Sequence, residues 1–199
     1  MTAAISLIVG LGNPGARYAD TWHNMGARVV EELARRWRCV LKPERGEYIS
    51  AARNTPDSRQ MLMIPASYMN LSGGPVTRAI RYYKTPLESV LIVLDDHDLP
   101  LGRVRFREKG SSGGHRGLDD VIQNLNTDEV PRLRIGILTD REQRELADQV
   151  LSKIPASLRG DVDKMTIIGA DAVEKWLRDG FLSAANFYNG LDGLGTNAE

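Results

Sequence analysis

The run Gly10-Leu11-Gly12-Asn13-Pro14-Gly15, preceded by the apolar Ile5-Ser6-Leu7-Ile8-Val9, constrains this chain more than any other segment. A continuous apolar run closed by a glycine turn reads as a buried strand that must hand over to a covering helix, the opening unit of an α/β fold. That helix is predicted over 23–38, where Val29, Val30, Leu33, Ala34 and Trp37 recur at helical spacing, with Thr21 as the expected N-cap. The loop spells G-x-G-x-x-G, yet its surroundings argue against a dinucleotide. Pro14 removes a backbone N–H from the turn that would cradle a pyrophosphate, and Ala34, Arg35 and Arg36 stand where the ribose-binding acid is needed.

The pattern of strand and helix continues along the chain. Strand signals occupy 48–52 and 61–64, separated by a turn-rich Asn54–Ser58. A second helix opens at Met69–Ser72 and runs through Tyr83. Ser89–Leu94 is a continuous apolar strand of the parallel kind, ending in Asp95-Asp96-His97-Asp98, so its carboxylates are expected at the C-terminal edge of a central strand. Strands at 103–107 and 133–138 and helices at 117–125 and 161–177 complete one α/β domain over 1–189, a twisted mixed sheet covered by helices on both faces, with 190–199 as a flexible tail.

Composition narrows the setting. No run of about 18 apolar residues exists and no leader precedes Ile5, which predicts a protein that neither spans a membrane nor is secreted. The one cysteine, Cys39, permits no internal disulfide and fits a cytoplasmic setting as an inert helix residue. Lys and Arg number 26, as do Asp and Glu, so contact with nucleic acid requires a local basic patch. Arg103, Arg105 and Arg107 alternate on one strand face, with Lys109, Arg116, Arg132 and Arg134 close in the pattern. They form either a phosphate-binding surface or a charged sheet edge.

Two further constellations carry chemistry. His23 beside the glycine loop is a candidate general base, which needs a partner to set its tautomer; Asp95 at the end of a central strand is the natural one. Gly110-Ser111-Ser112-Gly113-Gly114 matches G-x-S-x-G, but the histidine of such hydrolases follows both the serine and the acid, and only His23, His97 and His115 are available. The segment reads instead as a mobile loop whose backbone N–H groups meet a ligand, with His115 at its edge. The histidines and Asp95, Asp96 and Asp98 show no recognised metal-ligand spacing.

Residues 7–15, Tyr68–Gly73, Asp95–Gly102, Gly110–Gly117 and Arg132–Ile137 together resemble, in order and spacing, the bacterial-type peptidyl-tRNA hydrolase family. The resemblance implies a monomer without metal, organic cofactor or obligate protein partner, which cleaves the ester between a peptide and the tRNA 3′ end. It assigns His23 as base, Asp95 as its carboxylate, and Asn13 and Asn70 as polar contacts at the reacting end, with Asn13 distinguishing blocked from free aminoacyl groups. Tyr18 and Tyr68 are implied to meet unpaired bases, His115 and Arg116 to line the tRNA cleft, and Arg107 and Arg134 to hold acceptor-stem phosphate. Trp22 replaces the family's usual Arg and Arg116 its usual Asn, so a catalytically silent RNA-binding relative, akin to chloroplast splicing partners, and a hydrolase of small esters stay open as alternatives.

Overall fold

The structure, a computed structural model, describes residues 4–139, 150–192 and 196–197. Seven strands form one sheet: β1 (Ala4–Gly10), β2 (Lys42–Glu44), β3 (Tyr48–Asn54), β4 (Ser58–Pro65), β5 (Val90–Pro100), β6 (Val104–Arg107) and β7 (Arg132–Leu138), in the order β2-β3-β4-β1-β5-β7-β6. The centre is parallel, with β1 between β4 and β5 and β7 beyond; β2, β3 and β6 run antiparallel at the margins.

Central strands buried on both faces explain the unbroken apolar runs, because successive side chains point to opposite layers. Ile8, Leu62, Leu91, Val93, Leu133 and Ile135 enter a core shared with α1 (Met25–Arg36), α4 (Arg159–Asp179) and α5 (Phe181–Tyr188). Leu7, Val9, Met61, Met63, Ile92 and Leu94 face the opposite core, closed by α2 (Gly73–Tyr83) and α3 (Arg116–Leu125). The expected mixed sheet with helices on both faces is therefore what forms.

Several boundaries differ from the sequence reading. Thr21 is not an α-helical cap: its hydroxyl donates to the Tyr18 carbonyl, and a 3₁₀ turn over Trp22–Asn24 precedes α1. Met69–Leu71 is likewise a 3₁₀ turn leading into α2. β5 runs six residues past Leu94 to Pro100, because its pairing with β7 resumes after an irregularity between Asp96 and Pro100. Asp95 still stands at an edge, since pairing with β1 ends at Gly10 and Val93. The three-residue β2 gives no periodic signal. Cys39 lies beyond α1 rather than within it, half-buried, and burial pushes its thiol pKa up. Within the expected tail, β8 (Leu191–Asp192) pairs with β9 (Thr196–Asn197), while residues 193–195 and 198–199 lie outside the described residues.

The glycines of the first loop serve packing. A Cβ on Gly10 would stand 2.3 Å from the Gly26 carbonyl oxygen, and one on Gly26 would stand 2.1 Å from that of Val93. The first turn of α1 thus sits directly on β1 and β5, which brings the 3₁₀ turn that precedes it, and His23 within that turn, down to the sheet.

Candidate active site

A cleft of about 380 Å³ opens where the loop after β1, the turn before α2, β5 and the N-terminus of α3 converge. Asn13, Tyr18, His23, Tyr68, Asn70, Asp95, His115 and Arg116 all line it, so the structure brings together eight of the ten residues singled out by sequence. Arg107 and Arg134 lie outside it.

At its floor Asp95, 2 % exposed, accepts from two imidazoles. His23 Nδ1 is 3.0 Å from each carboxylate oxygen, and His115 Nε2 is 3.2 Å from Oδ1. Burial alone would push the Asp95 pKa up, but the His115 and His23 rings beside it hold it well below the usual carboxylate range. An ionised carboxylate only accepts, so both nitrogens facing it carry protons. His115 is fixed a second time, because its Nδ1 accepts the Leu118 N–H at 3.1 Å as the N-cap of α3. For His23, with its proton on Nδ1, the lone pair is on Nε2. That is the arrangement of an oriented general base.

His23, Asp95 and His115 also place ligand atoms within 4.8 Å of one another, the geometry of a metal cluster. The hydrogen bonds argue otherwise. A metal on His115 Nε2 would need the ring proton moved to Nδ1, which already faces the Leu118 N–H.

Asn13 is held by a residue that sequence reasoning passed over. Asn24 accepts the Asn13 backbone N–H at 2.9 Å on Oδ1 and donates from Nδ2 to its carbonyl at 3.0 Å, so one side chain locks the loop to the turn that carries His23. This use of the carboxamide explains why Asn24 stands at the start of α1 without capping it. Its only sequence signal was adjacency to His23. The Asn13 Oδ1 in turn accepts the Met69 N–H at 2.8 Å, and among the described residues its Nδ2 makes no hydrogen bond. Asn70 is exposed and its carboxamide makes no hydrogen bond among the described residues.

The cleft mouth is aromatic and cationic. Tyr18 and Tyr68 meet edge to face with centroids 6.4 Å apart, and the Arg17 guanidinium lies 4.7 Å over the Tyr18 ring. Arg116 is exposed. His97 lines the same cleft with Nε2 3.4 Å from Asp98.

The remaining candidates are resolved by their partners. Ser112 Oγ donates to Asp119 at 3.3 Å, not to a histidine, so the G-x-S-x-G match is no nucleophile elbow. The register of β6 with β7 sets Arg105 opposite Arg134 and Arg107 opposite Arg132, so these arginines do share a face. They are not equivalent. Arg107 is exposed, Arg134 pairs with Asp96 at 2.9 Å, and Arg132 is 2 % exposed and does not belong to any surface patch.

The family described as Peptidyl-tRNA hydrolase matches residues 7–195 of this chain. A peptidyl-tRNA hydrolase of Bacillus cytotoxicus is 40 % identical over 185 residues, covering 93 % of this chain and 100 % of that protein. One of Brevibacillus brevis is 35 % identical over 187 residues, with 94 % and 99 % covered. The crystal structure of peptidyl-tRNA hydrolase from Acinetobacter baumannii superposes with a TM-score of 0.84 at 34 % identity, over 92 % of this chain and 93 % of that one. With its loop, cleft and buried histidine–carboxylate cluster in the matched span, this chain belongs to the peptidyl-tRNA hydrolase family.

Proposed function

We propose that this protein hydrolyses the ester linking a peptide, or an N-blocked aminoacyl group, to the tRNA 3′ end, with His23 as general base. The carrying observation is the proton arrangement at Asp95, which leaves the His23 Nε2 lone pair for water. Water attacks the ester carbonyl carbon as its proton passes to Nε2; the bond to the ribose 3′ oxygen then breaks and that oxygen takes the proton back. The products are a free tRNA 3′ hydroxyl and a peptide carboxylic acid. Asp95 stabilises the imidazolium between these steps.

The free Nδ2 of Asn13 only donates, which suits the carbonyl of a blocked amine and opposes a free ammonium group, itself a donor. Asn70 supplies a second donor and acceptor. Tyr18 and Tyr68 offer faces and edges for unpaired terminal bases, and Arg116 adds charge beside them. Arg107 and the exposed part of Arg134 would hold acceptor-stem phosphate, fixing register rather than doing chemistry. In this reading the protein acts in the cytoplasm as a monomer; its single cysteine fits that compartment, and no helix among the described residues is long and apolar enough to cross a membrane.

Incubation with N-acetyl-aminoacyl-tRNA beside unblocked aminoacyl-tRNA tests the reading. Rapid cleavage of the first and near-indifference to the second are expected. Cleavage of neither would favour the RNA-binding alternative, and equal cleavage would remove the role given to Asn13.

A further inference from the structure

Arg132 is the largest side chain in the protein's fully buried set, and it forms an ion pair with no carboxylate among the described residues. Its Nη1 donates to the Gly110 carbonyl at 2.8 Å and its Nη2 to the Asp128 carbonyl at 3.2 Å. Its Nε finds no partner among the described residues. Burial, aided by the neighbouring Arg134 charge, lowers its pKa to about 10. The Asp128 carboxylate offsets this in part without pairing directly, so a buried cation whose hydrogen bonds all go to carbonyls is costly, and an apolar residue of similar size would fill the same space more cheaply.

The two carbonyls explain what the cation does. Gly110 lies on the connection from β6 into α3 and Asp128 on the connection from α3 to β7; the Gly110 N–H also donates to the Asp128 carbonyl at 3.1 Å. One guanidinium therefore ties together both chain segments that bracket α3. The N-cap of that helix is His115, whose Nε2 reaches Asp95.

We infer that Arg132 is a positioning residue for the hydrolysis: it fixes the N-terminus of α3, so that His115 holds Asp95 and Asp95 holds His23 in the base tautomer. The inference rests on the proposed hydrolysis for its kinetic readout but not for its structural one. Arg134 lies close against the same loop, since a Cβ on Gly113 would stand 2.9 Å from its Nη2.

The test compares Arg132→Met and Arg132→Lys with the native protein, measuring amide hydrogen exchange at Leu118 and steady-state cleavage of N-acetyl-aminoacyl-tRNA. In Arg132→Met the Leu118 amide should exchange faster while the amides of β1 and β5 keep their protection. Its kcat should fall roughly ten- to a hundredfold, the scale of a displaced catalytic group, with KM within a few-fold. Arg132→Lys, which can reach one carbonyl, should fall between the two. Native kcat or native Leu118 protection in folded Arg132→Met would overturn the inference; if that variant does not fold, the same native values in Arg132→Lys would do so. Should the native protein fail to cleave, the hydrolase reading falls, while Leu118 exchange still decides whether Arg132 anchors the helix.

Discussion

Replacing Asp95 by Asn changes which nitrogen of His23 carries the proton, and the size of the effect follows from the hydrogen bonds. The carboxylate accepts from His23 and His115 at 3.0 and 3.2 Å. A carboxamide has one accepting oxygen and one donating NH₂. His115 cannot adapt, because Leu118 N–H occupies its Nδ1, so it keeps the oxygen. The NH₂ then faces His23 Nδ1, which must become an acceptor, and the ring proton moves to Nε2, where a base needs its lone pair. Asp95→Asn should therefore lower kcat by about 10²- to 10⁴-fold, the span from lost general-base catalysis to an inverted tautomer in a Ser-His-Asp triad. KM should hold, since Asp95 has almost no exposed surface. The assay is single-turnover cleavage of N-acetyl-aminoacyl-tRNA with saturating enzyme. Adding His115→Ala frees the amide to turn its oxygen toward His23, so the double variant should be faster than Asp95→Asn alone. A single variant within about tenfold of native kcat, or a double variant no faster than the single, would refute the argument.

The same carboxylate makes stability depend on pH. Its folded pKa lies below the unfolded value of about 3.9, so its contribution is fully present above that pH and is lost as pH falls further. Urea midpoints of the native protein and Asp95→Asn should converge below about pH 4, and a constant gap would contradict this. Asn24→Ala strands a buried N–H and carbonyl of Asn13, which should cost about 2–4 kcal/mol in urea unfolding and also lower kcat. Arg107→Ala should weaken tRNA binding and flatten its logarithmic salt dependence by about one phosphate contact, with saturated cleavage unchanged. An unaltered slope would make Arg107 a solvated edge residue.

The parallel core was legible because β1 and the first half of β5 are buried on both faces and spell that burial as apolar runs, interrupted in β1 only by Ser6. The pairing of His23 with Asp95 was legible for a related reason, as helix starts and strand ends meet at one edge of such a sheet. Arg132 was misread because alternation gives the face a side chain takes but not its depth: Arg107 and Arg132 are cross-strand partners, yet one is exposed and the other sunk. The glycine loop carried a misleading spelling, since its spacing meets the needs of close helix packing on β1 and β5 as well as those of a phosphate. Asn24 was missed because bonds to a backbone eleven residues away leave no periodic trace. The extent of β5 depended on pairing beyond the irregularity at Asp96, which local pattern does not encode.

The central claim, that His23 takes the proton from water, is tested most directly by His23→Ala, with tRNA affinity and single-turnover cleavage of N-acetyl-aminoacyl-tRNA measured on one preparation. The expected result is an unchanged dissociation constant with cleavage slowed by about a hundredfold or more. Cleavage at the native rate, or a loss explained wholly by weaker binding, would contradict it.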